Sequence, residues 1–384
     1  MQRRTRTDGH KQPGDVEEHK SLTEQFEENA TKRPERPKAI DTSILIPSGI
    51  TLLNCACSDN PFGAYLPGQI VTLPGGSVSG KTMMTLTMLA ECCSDERFNE
   101  YDLIYDDGEE SLNIDINYLF GEPLAQRIKP PRTDNEGEGL PSETIQDFKA
   151  NILKLCKDSD KPFIYILDSL DSLTTTEELE KEYKAAIATA KSPEAVAELK
   201  GSYKTEKAKH IGEVLRMVRG RLKQTKSALF IVQQTRDNIG GFGKAKTTSG
   251  GNAPFFYSFH QVWLEKTKTH AKTVSGISRK IGSHTKASVT KNKFNGKIRE
   301  VEFDIFYDYG IDDVMANIEF LVSCGRWKKT SQTIDATDFG LKGTIQTVAA
   351  GIEKGRFEKA LQEIVGEAWN VIEESVRTDR SRNF

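Results

Sequence analysis

Ile70-Val71-Thr72-Leu73-Pro74-Gly75-Gly76-Ser77-Val78-Ser79-Gly80-Lys81-Thr82 is the stretch from which the rest of the chain can be read. Residues 70–73 are apolar or β-branched and predict a strand. Gly75, Gly76, Ser77, Val78, Ser79, Gly80, Lys81 and Thr82 then fit G-x-x-x-x-G-K-[ST], and residues 82–92 predict a helix. Strand, glycine-rich loop and helix are the context that this motif requires. The loop N–H groups and the helix N-terminus face phosphate oxygens, Lys81 reaches the terminal phosphates, and Thr82 offers its hydroxyl to magnesium. The expected ligands are ATP and Mg2+.

Working outward, Phe163-Ile164-Tyr165-Ile166-Leu167-Asp168-Ser169 is a short apolar run ending in an aspartate. Asp168 is the second candidate magnesium ligand, directly or through water. Hydrolysis also needs a carboxylate to orient or activate water. Asp106-Asp107-Gly108-Glu109-Glu110 follows the apolar run 103–105 and supplies one; by spacing alone either glutamate serves. The β-rich runs 69–73, 103–105, 163–167 and 228–232 alternate with helical stretches, which predicts an α/β fold with a mostly parallel central sheet flanked by helices. Residues 130–142, rich in Pro, Gly and acidic side chains, predict a surface loop. Residues 177–210 predict a charged helical insertion with turns near 192–193 and Gly201. From Gly310 the pattern turns helical, most clearly over 314–322 and 357–376.

The 384 residues, 36% of them hydrophobic, suffice for one large domain and a smaller one. A formal charge of −3 gives no whole-chain signal for nucleic acid, so such binding must rest on local charge. Residues 264–300 provide it, with ten Lys and Arg against Glu265 and Glu300. The six cysteines show no CxxC spacing and are expected as free cytosolic thiols. Arg3, Arg4 and Arg6 precede no apolar run of a signal peptide, and no stretch approaches a membrane span; a cytoplasmic location is expected. Residues 1–45 are polar and charge-dense, an arm with a short candidate helix over 21–31.

Phe230-Ile231-Val232-Gln233-Gln234-Thr235-Arg236, followed by Lys246-Thr247-Thr248-Ser249-Gly250-Gly251-Asn252-Ala253, resembles the bacterial RecA-type recombinase family. In that family the corresponding strand ends in a glutamine sensor and runs into the second DNA-binding loop. The resemblance covers residues 48–310 and weakens beyond. It implies a RecA-like P-loop NTPase core over 48–311, an N-terminal polymerisation arm over 1–47 and a small C-terminal domain over 312–384. Asp107-Gly108-Glu109 resembles the family's Asp-x-Glu, which makes Glu109 the implied catalytic carboxylate. Leu167-Asp168-Ser169 resembles its Walker B, and Gln234 falls on the γ-phosphate sensor. Val289-Thr290-Lys291-Asn292-Lys293 resembles a motif whose two lysines reach the neighbouring subunit's ATP across a filament interface. Spaced by two on a strand, Lys291 and Lys293 are expected to point the same way.

The same resemblance implies DNA-binding loops at about 170–210 and 235–252. Lys209, Arg216, Arg236, Gly250, Gly251 and Asn252 would lie against the backbone of single-stranded DNA, and Ile239 would wedge between base groups. The implied function is an ATP-dependent, DNA-stimulated recombinase that forms a helical filament on single-stranded DNA and pairs it with homologous duplex. A ring helicase or DNA motor, or a non-recombining filament-forming accessory protein, would use the same core. The chain also departs from the pattern: Phe255 stands for a lysine, Ile116 for an adenine-stacking tyrosine and Asn113 for a base-contacting aspartate, and residues 177–205 have no counterpart.

Overall fold

Strand β1 (Ile70–Gly75) is buried along its whole length. It pairs in parallel on both sides, with β7 (Ala228–Asp237) and with β9 (His260–Val274). A strand covered on both faces has little room for unpaired polar groups, which is why the run reads as continuous rather than alternating; Thr72, its one polar residue, accepts from Gln261 Nε2 at 3.3 Å. The computed structural model describes residues 43–110, 112–189, 203–237 and 246–378, and the expected arm with its helix over 21–31 lies outside them.

Ten strands form the main sheet, in the order β12-β11-β10-β9-β1-β7-β6-β2-β3, with β8 (Lys246–Thr248) on β7. Here β2 is Asp102–Asp106, β3 is Ile128–Lys129 and β6 is Phe163–Leu167. From β9 to β3 every pairing is parallel. Alternate residues feed two cores. Val71, Leu73, Leu103, Ile164, Ile166, Phe230 and Val232 face one cluster, with helices α1 (Thr51–Ser58) and α2 (Lys81–Ser94). Ile70, Ile104, Phe163, Tyr165, Leu167, Leu229 and Ile231 face the other, under α5 (Ile145–Asp158) and α7 (Tyr203–Thr225). Two short helices, α3 (Ile116–Phe120) and α4 (Glu122–Arg127), link β2 to β3. Helix α5 begins at a capping box in which Thr144 and Asp147 satisfy each other's backbone N–H groups.

Two regions carry more strand than the sequence indicated. Residues 130–142 carry a small two-stranded ladder, β4 (Arg132–Thr133) with β5 (Gly139–Leu140), too short to leave a periodic trace. The basic stretch 264–300 is largely a long antiparallel hairpin of β9 and β10 (Ile277–Asn292), continued by β11 (Glu300–Phe306) and β12 (Gly310–Asp312). Its turn is Ser275-Gly276, with φ of 51° and 76°, the left-handed pair that a two-residue hairpin needs. Of the expected insertion, α6 (Thr176–Thr189) and the start of α7 are described; the turns near 192–193 and Gly201 are not.

Beyond Asp312 the chain is not purely helical. Helix α9 (Asp313–Ser323) leads into a three-stranded sheet, β13 (Lys328–Thr330), β14 (Thr333–Ala336) and β15 (Leu341–Gly343), then α10 (Ile345–Gly355) and α11 (Glu358–Ser375). Ile318, Leu321, Trp327, Val348, Leu361 and Val365 belong to the same apolar cluster as Leu53 and Phe303 of the main sheet side. The Glu373 carboxylate on α11 clasps the Arg299 guanidinium through two bonds of 2.7 Å and Lys297 at 2.8 Å.

Phe230 is fully buried and packs edge-on to Tyr65, ring centroids 5.3 Å apart. Phe230→Ala is expected to lower stability by about 3–5 kcal/mol in denaturant unfolding, since the tightly packed sheet cannot close the cavity. Arg299 and then Lys297 hold the Glu373 carboxyl down at about 2. That contribution is present above the ordinary carboxylate range and is lost as pH falls toward 2. The stability gap between the parent and Glu373→Gln therefore narrows below about pH 4.5 in pH-dependent melts.

Candidate nucleotide and nucleic-acid site

The loop after β1 is shaped by close contact. A Cβ on Gly75 would come 2.5 Å from Ser79 Oγ and 2.7 Å from Leu264 O, and one on Gly80 would meet Ile305 Cδ1 at 2.2 Å. Val78 and Gly80 hold φ of 59° and 91°, so the backbone curls into a cradle of N–H groups at the start of α2. Lys81, on the first turn of α2, donates to Gly75 O at 3.1 Å and Gly76 O at 2.7 Å.

Across the cradle, Thr82 Oγ1 and Tyr105 OH each donate at 2.7 Å to the same oxygen of Asp168, Oδ2. Burial pushes the Asp168 carboxyl above its usual range and the Lys81 ammonium below its own. Each group is thus held out of water without full compensation. Ser79 Oγ, in the same loop, is buried with no partner among the described residues. A magnesium–triphosphate pair answers these deficits together, with a cation for Asp168 and Thr82 and anionic oxygens for Lys81 and the loop.

The acidic segment after β2 is pinned from below. Buried Asp106 accepts from Ser142 N at 2.7 Å, Ser142 Oγ at 2.6 Å and Tyr165 OH at 2.5 Å. Gly108 leaves no room for a side chain, its Cβ falling 2.7 Å from Ser172 Oγ. The chain then parts the two glutamates. Glu109 lines a cleft of about 280 Å³ with Ser77, Val78, Ser79, Gly80, Lys81, Thr82, Asp168 and Gln234. Glu110, at φ of 49°, lines a separate hollow with Asp107, Asn113 and Leu140. Glu109 Oε1 accepts from Ser169 Oγ at 2.5 Å and Gln234 Nε2 at 2.8 Å, while Gln234 N donates to Asp171 Oδ2 at 2.7 Å.

Met83, Ile114, Ser283, Ile305 and Tyr307 also line the cleft, and the sequence reading did not single them out. A signal existed: Val301, Phe303 and Ile305 alternate as buried positions on β11 and carry the same period to Tyr307. Ile116, in α3, packs against the main core instead, and Asn113 faces the hollow of Glu110.

Lys291 and Lys293 come close enough for their side chains to interact, but not as two positions of one regular strand. The register shifts between Val289 and Lys291, and β10 ends at Asn292, whose side chain is buried and donates to Cys57 O at 3.0 Å. Lys293 therefore lies past the strand rather than two places along it. Lys291 Nζ lies 4.5 Å from the centroid of the Phe255 ring and donates to the carbonyls of Phe255 and Phe256, in α8 (Ala253–Tyr257). Burial and then the Lys293 charge lower its pKa to about 8.

Lys209 and Arg216 are both exposed on α7, whose Ile211, Val214, Leu215, Val218 and Leu222 are buried. Two turns apart, they share one face. Gly250 and Gly251 adopt φ of 84° and 68° and press on this helix: their Cβ positions would meet Ile211 at 3.0 Å and Ala208 at 3.2 Å. Asn252 caps α8 and its carbonyl accepts from Phe256 N at 2.9 Å. Arg236 pairs through its backbone with Thr247, and Ile239 lies outside the described residues. One residue before the cleft-facing Gln234, buried Gln233 donates to Ser249 O at 2.9 Å.

A phosphate cradle between β1 and α2, faced by the Thr82–Asp168 pair on a mostly parallel sheet, defines a P-loop nucleotide-binding fold of RecA-like class. Residues 149–312 match the family model described as the RecA N-terminal domain. Proteins named Protein RecA are similar over most of the chain. That of Lactobacillus delbrueckii subsp. bulgaricus is 26% identical over 323 residues, 80% of this chain and 83% of its own. That of Francisella philomiragia is 25% identical over 348 residues, 87% and 84%. That of Paenarthrobacter aurescens is 26% identical over 300 residues, 77% and 75%. The chain is thus similar to proteins named Protein RecA over most of its length, at about one identical residue in four.

Replacing Lys81 with alanine is expected to lower ATP turnover by at least about 100-fold, read in a coupled hydrolysis assay, because Lys81 is the one cation among the described residues that line the cleft. Turnover within a few-fold of the parent's would show that the triphosphate lies elsewhere.

Proposed function

We propose that this protein is a DNA-dependent ATPase acting as a homologous-recombination recombinase, filamentous on single-stranded DNA and cytoplasmic. The observation that carries this reading is the pair of adjacent glutamines in the second half of β7. Gln234 bonds Glu109 in the phosphate cleft, and Gln233 holds Ser249 at the glycine-rich loop. A strand whose neighbouring residues touch both places is suited to pass nucleotide state to a DNA-binding loop.

In this reading Lys81 leaves its carbonyl partners for the terminal phosphates of ATP, and Thr82 with Asp168 holds magnesium. The metal, when bound, neutralises charge on the transferring phosphoryl group. Glu109 orients the attacking water and takes up its proton. Gln234 exchanges Glu109 for the γ-phosphate, and the shift along β7 sets the loop through Gln233. Gly250 and Gly251, without side chains, let backbone N–H groups approach DNA phosphates, with Asn252 and Arg236 beside them and Lys209 and Arg216 on α7 as cations. Ile239 separates base groups. Lys291 and Lys293 extend to the ATP of a neighbouring subunit, and repetition of that head-to-tail contact gives a helical filament. Exposed Tyr307 offers an aromatic face to the base, in place of the tyrosine missing at Ile116.

The test uses Glu109→Gln. It is expected to bind ATP and single-stranded DNA, to turn over at least about 100-fold more slowly, and to give persistent helical filaments in negative stain. The parent is expected to form D-loops with homologous duplex. Closed rings with directional unwinding would assign the core to a motor, and filaments without D-loops to an accessory role.

A further inference from the structure

Three neighbouring strands of the antiparallel extension bring His270, His284 and Asp304 together on one face, from β9, β10 and β11 respectively. His284 and Asp304 are registered partners, and His270 pairs with Gly282, one same-face step along β10. His270 Nε2 lies 2.7 Å and His284 Nδ1 2.6 Å from the same oxygen, Asp304 Oδ1. The three donor atoms fall within 4.8 Å of one another, and all three side chains are partly buried. His270 is steadied by the Phe306 ring, tilted at 31° with centroids 5.5 Å apart.

The other nitrogen of His284 decides the chemistry. Nε2 lies 3.1 Å from Glu302 Oε2, so the tautomer protonated there donates to that carboxylate and leaves Nδ1 free to ligate beside Asp304 Oδ1. In that tautomer a metal ion can stand between Nδ1 and Asp304 Oδ1, within reach of His270 Nε2. A carboxylate that fixes the tautomer of a histidine from behind is also the usual outer support of a metal-bound imidazole. Glu319 on α9 adds negative potential, since its charge is felt by both Asp304 and His284. Lys268, opposite His284 on β9, is exposed and carries the opposing charge.

We propose that His270, His284 and Asp304 form a binding site for a divalent transition-metal ion of the zinc class, with water in the remaining position. Two imidazoles and one carboxylate are a borderline donor set that disfavours magnesium and calcium, so this site is chemically distinct from the Thr82–Asp168 pair. Tetrahedral donors around zinc lie about 3.3 Å apart, so the cluster opens by roughly 0.6 Å as the ion enters. The alternation of β10 and β11 puts the site behind the nucleotide cleft: His284 follows Ser283, and Asp304 precedes Ile305, both of which line that cleft. A metal ion here would staple the strands that form the cleft's far wall.

The test titrates Co2+ into the nucleotide-free, full-length protein and follows visible absorption. One equivalent giving the intense bands of a tetrahedral nitrogen–oxygen site is expected, with affinity at least about 10-fold weaker in Asp304→Asn and in His270→Gln. The two variants remove ligands from different strands, so one failing to fold leaves the other to decide, with circular dichroism as the check. Zn2+ is expected to raise the melting temperature of the parent and of neither variant. No tetrahedral bands, bands unchanged in the folded variants, or thiolate-to-cobalt absorption marking cysteine ligands would overturn the assignment.

Discussion

The parallel pairing of β1 with β7 sets Gly75 opposite Gln234, and the rest of the site hangs on that register. A slip by one residue would turn Gln234 away from the cleft and put Gln233 in its place, because side chains along a strand alternate faces. The register is fixed by burial on both faces, where Val71 and Phe230 belong to one core and Ile70 and Leu229 to the other. Packing that has no chemical role therefore determines which of two identical side chains meets the phosphate cradle.

The same sheet explains why so much charge can be held out of water near one point. Asp106, Asp168 and Lys81 are all buried. Each is tied to hydroxyl or backbone partners: Asp106 to Ser142 and Tyr165, Asp168 to Thr82 and Tyr105, Lys81 to two carbonyls. Such bonds keep the groups in position at the cost of leaving their charge incompletely answered. A region built this way is strained electrostatically and rigid sterically, a combination suited to taking up a highly charged ligand with little rearrangement.

Much of this was legible in the sequence, for identifiable reasons. The phosphate loop, the run ending in Asp168 and the strand ending in Gln234 are local: each carries its residue types at fixed short spacing. Glu109 against Glu110 was not decidable from spacing, and only the backbone turn at Glu110 parts them. The hairpin of β9 and β10 hid because most of its exposed positions are Lys, Thr and Arg, which read as charge rather than as strand. Lys291 and Lys293 were expected side by side on one strand; their charges do meet, but the bulge after Val289 and the strand end at Asn292 left no local trace in the sequence. The alternation of Val301, Phe303 and Ile305 puts Ile305 and Tyr307 on one face of the strand, but that this face meets the cleft follows from tertiary register.

The shared apolar cluster of the C-terminal elements and the main sheet carries an evolutionary consequence. Trp327, Leu361 and Val365 fill the same interior as Leu53 and Phe303, so the chain beyond Asp312, nearly a fifth of the total, shares its core with the main sheet. Variation there is coupled to the scaffold behind the P-loop, and shuffling this segment between relatives must carry the matching surface of α1 with it. Divergence in this protein is thus expected to proceed by paired changes across that seam rather than by exchange of whole parts.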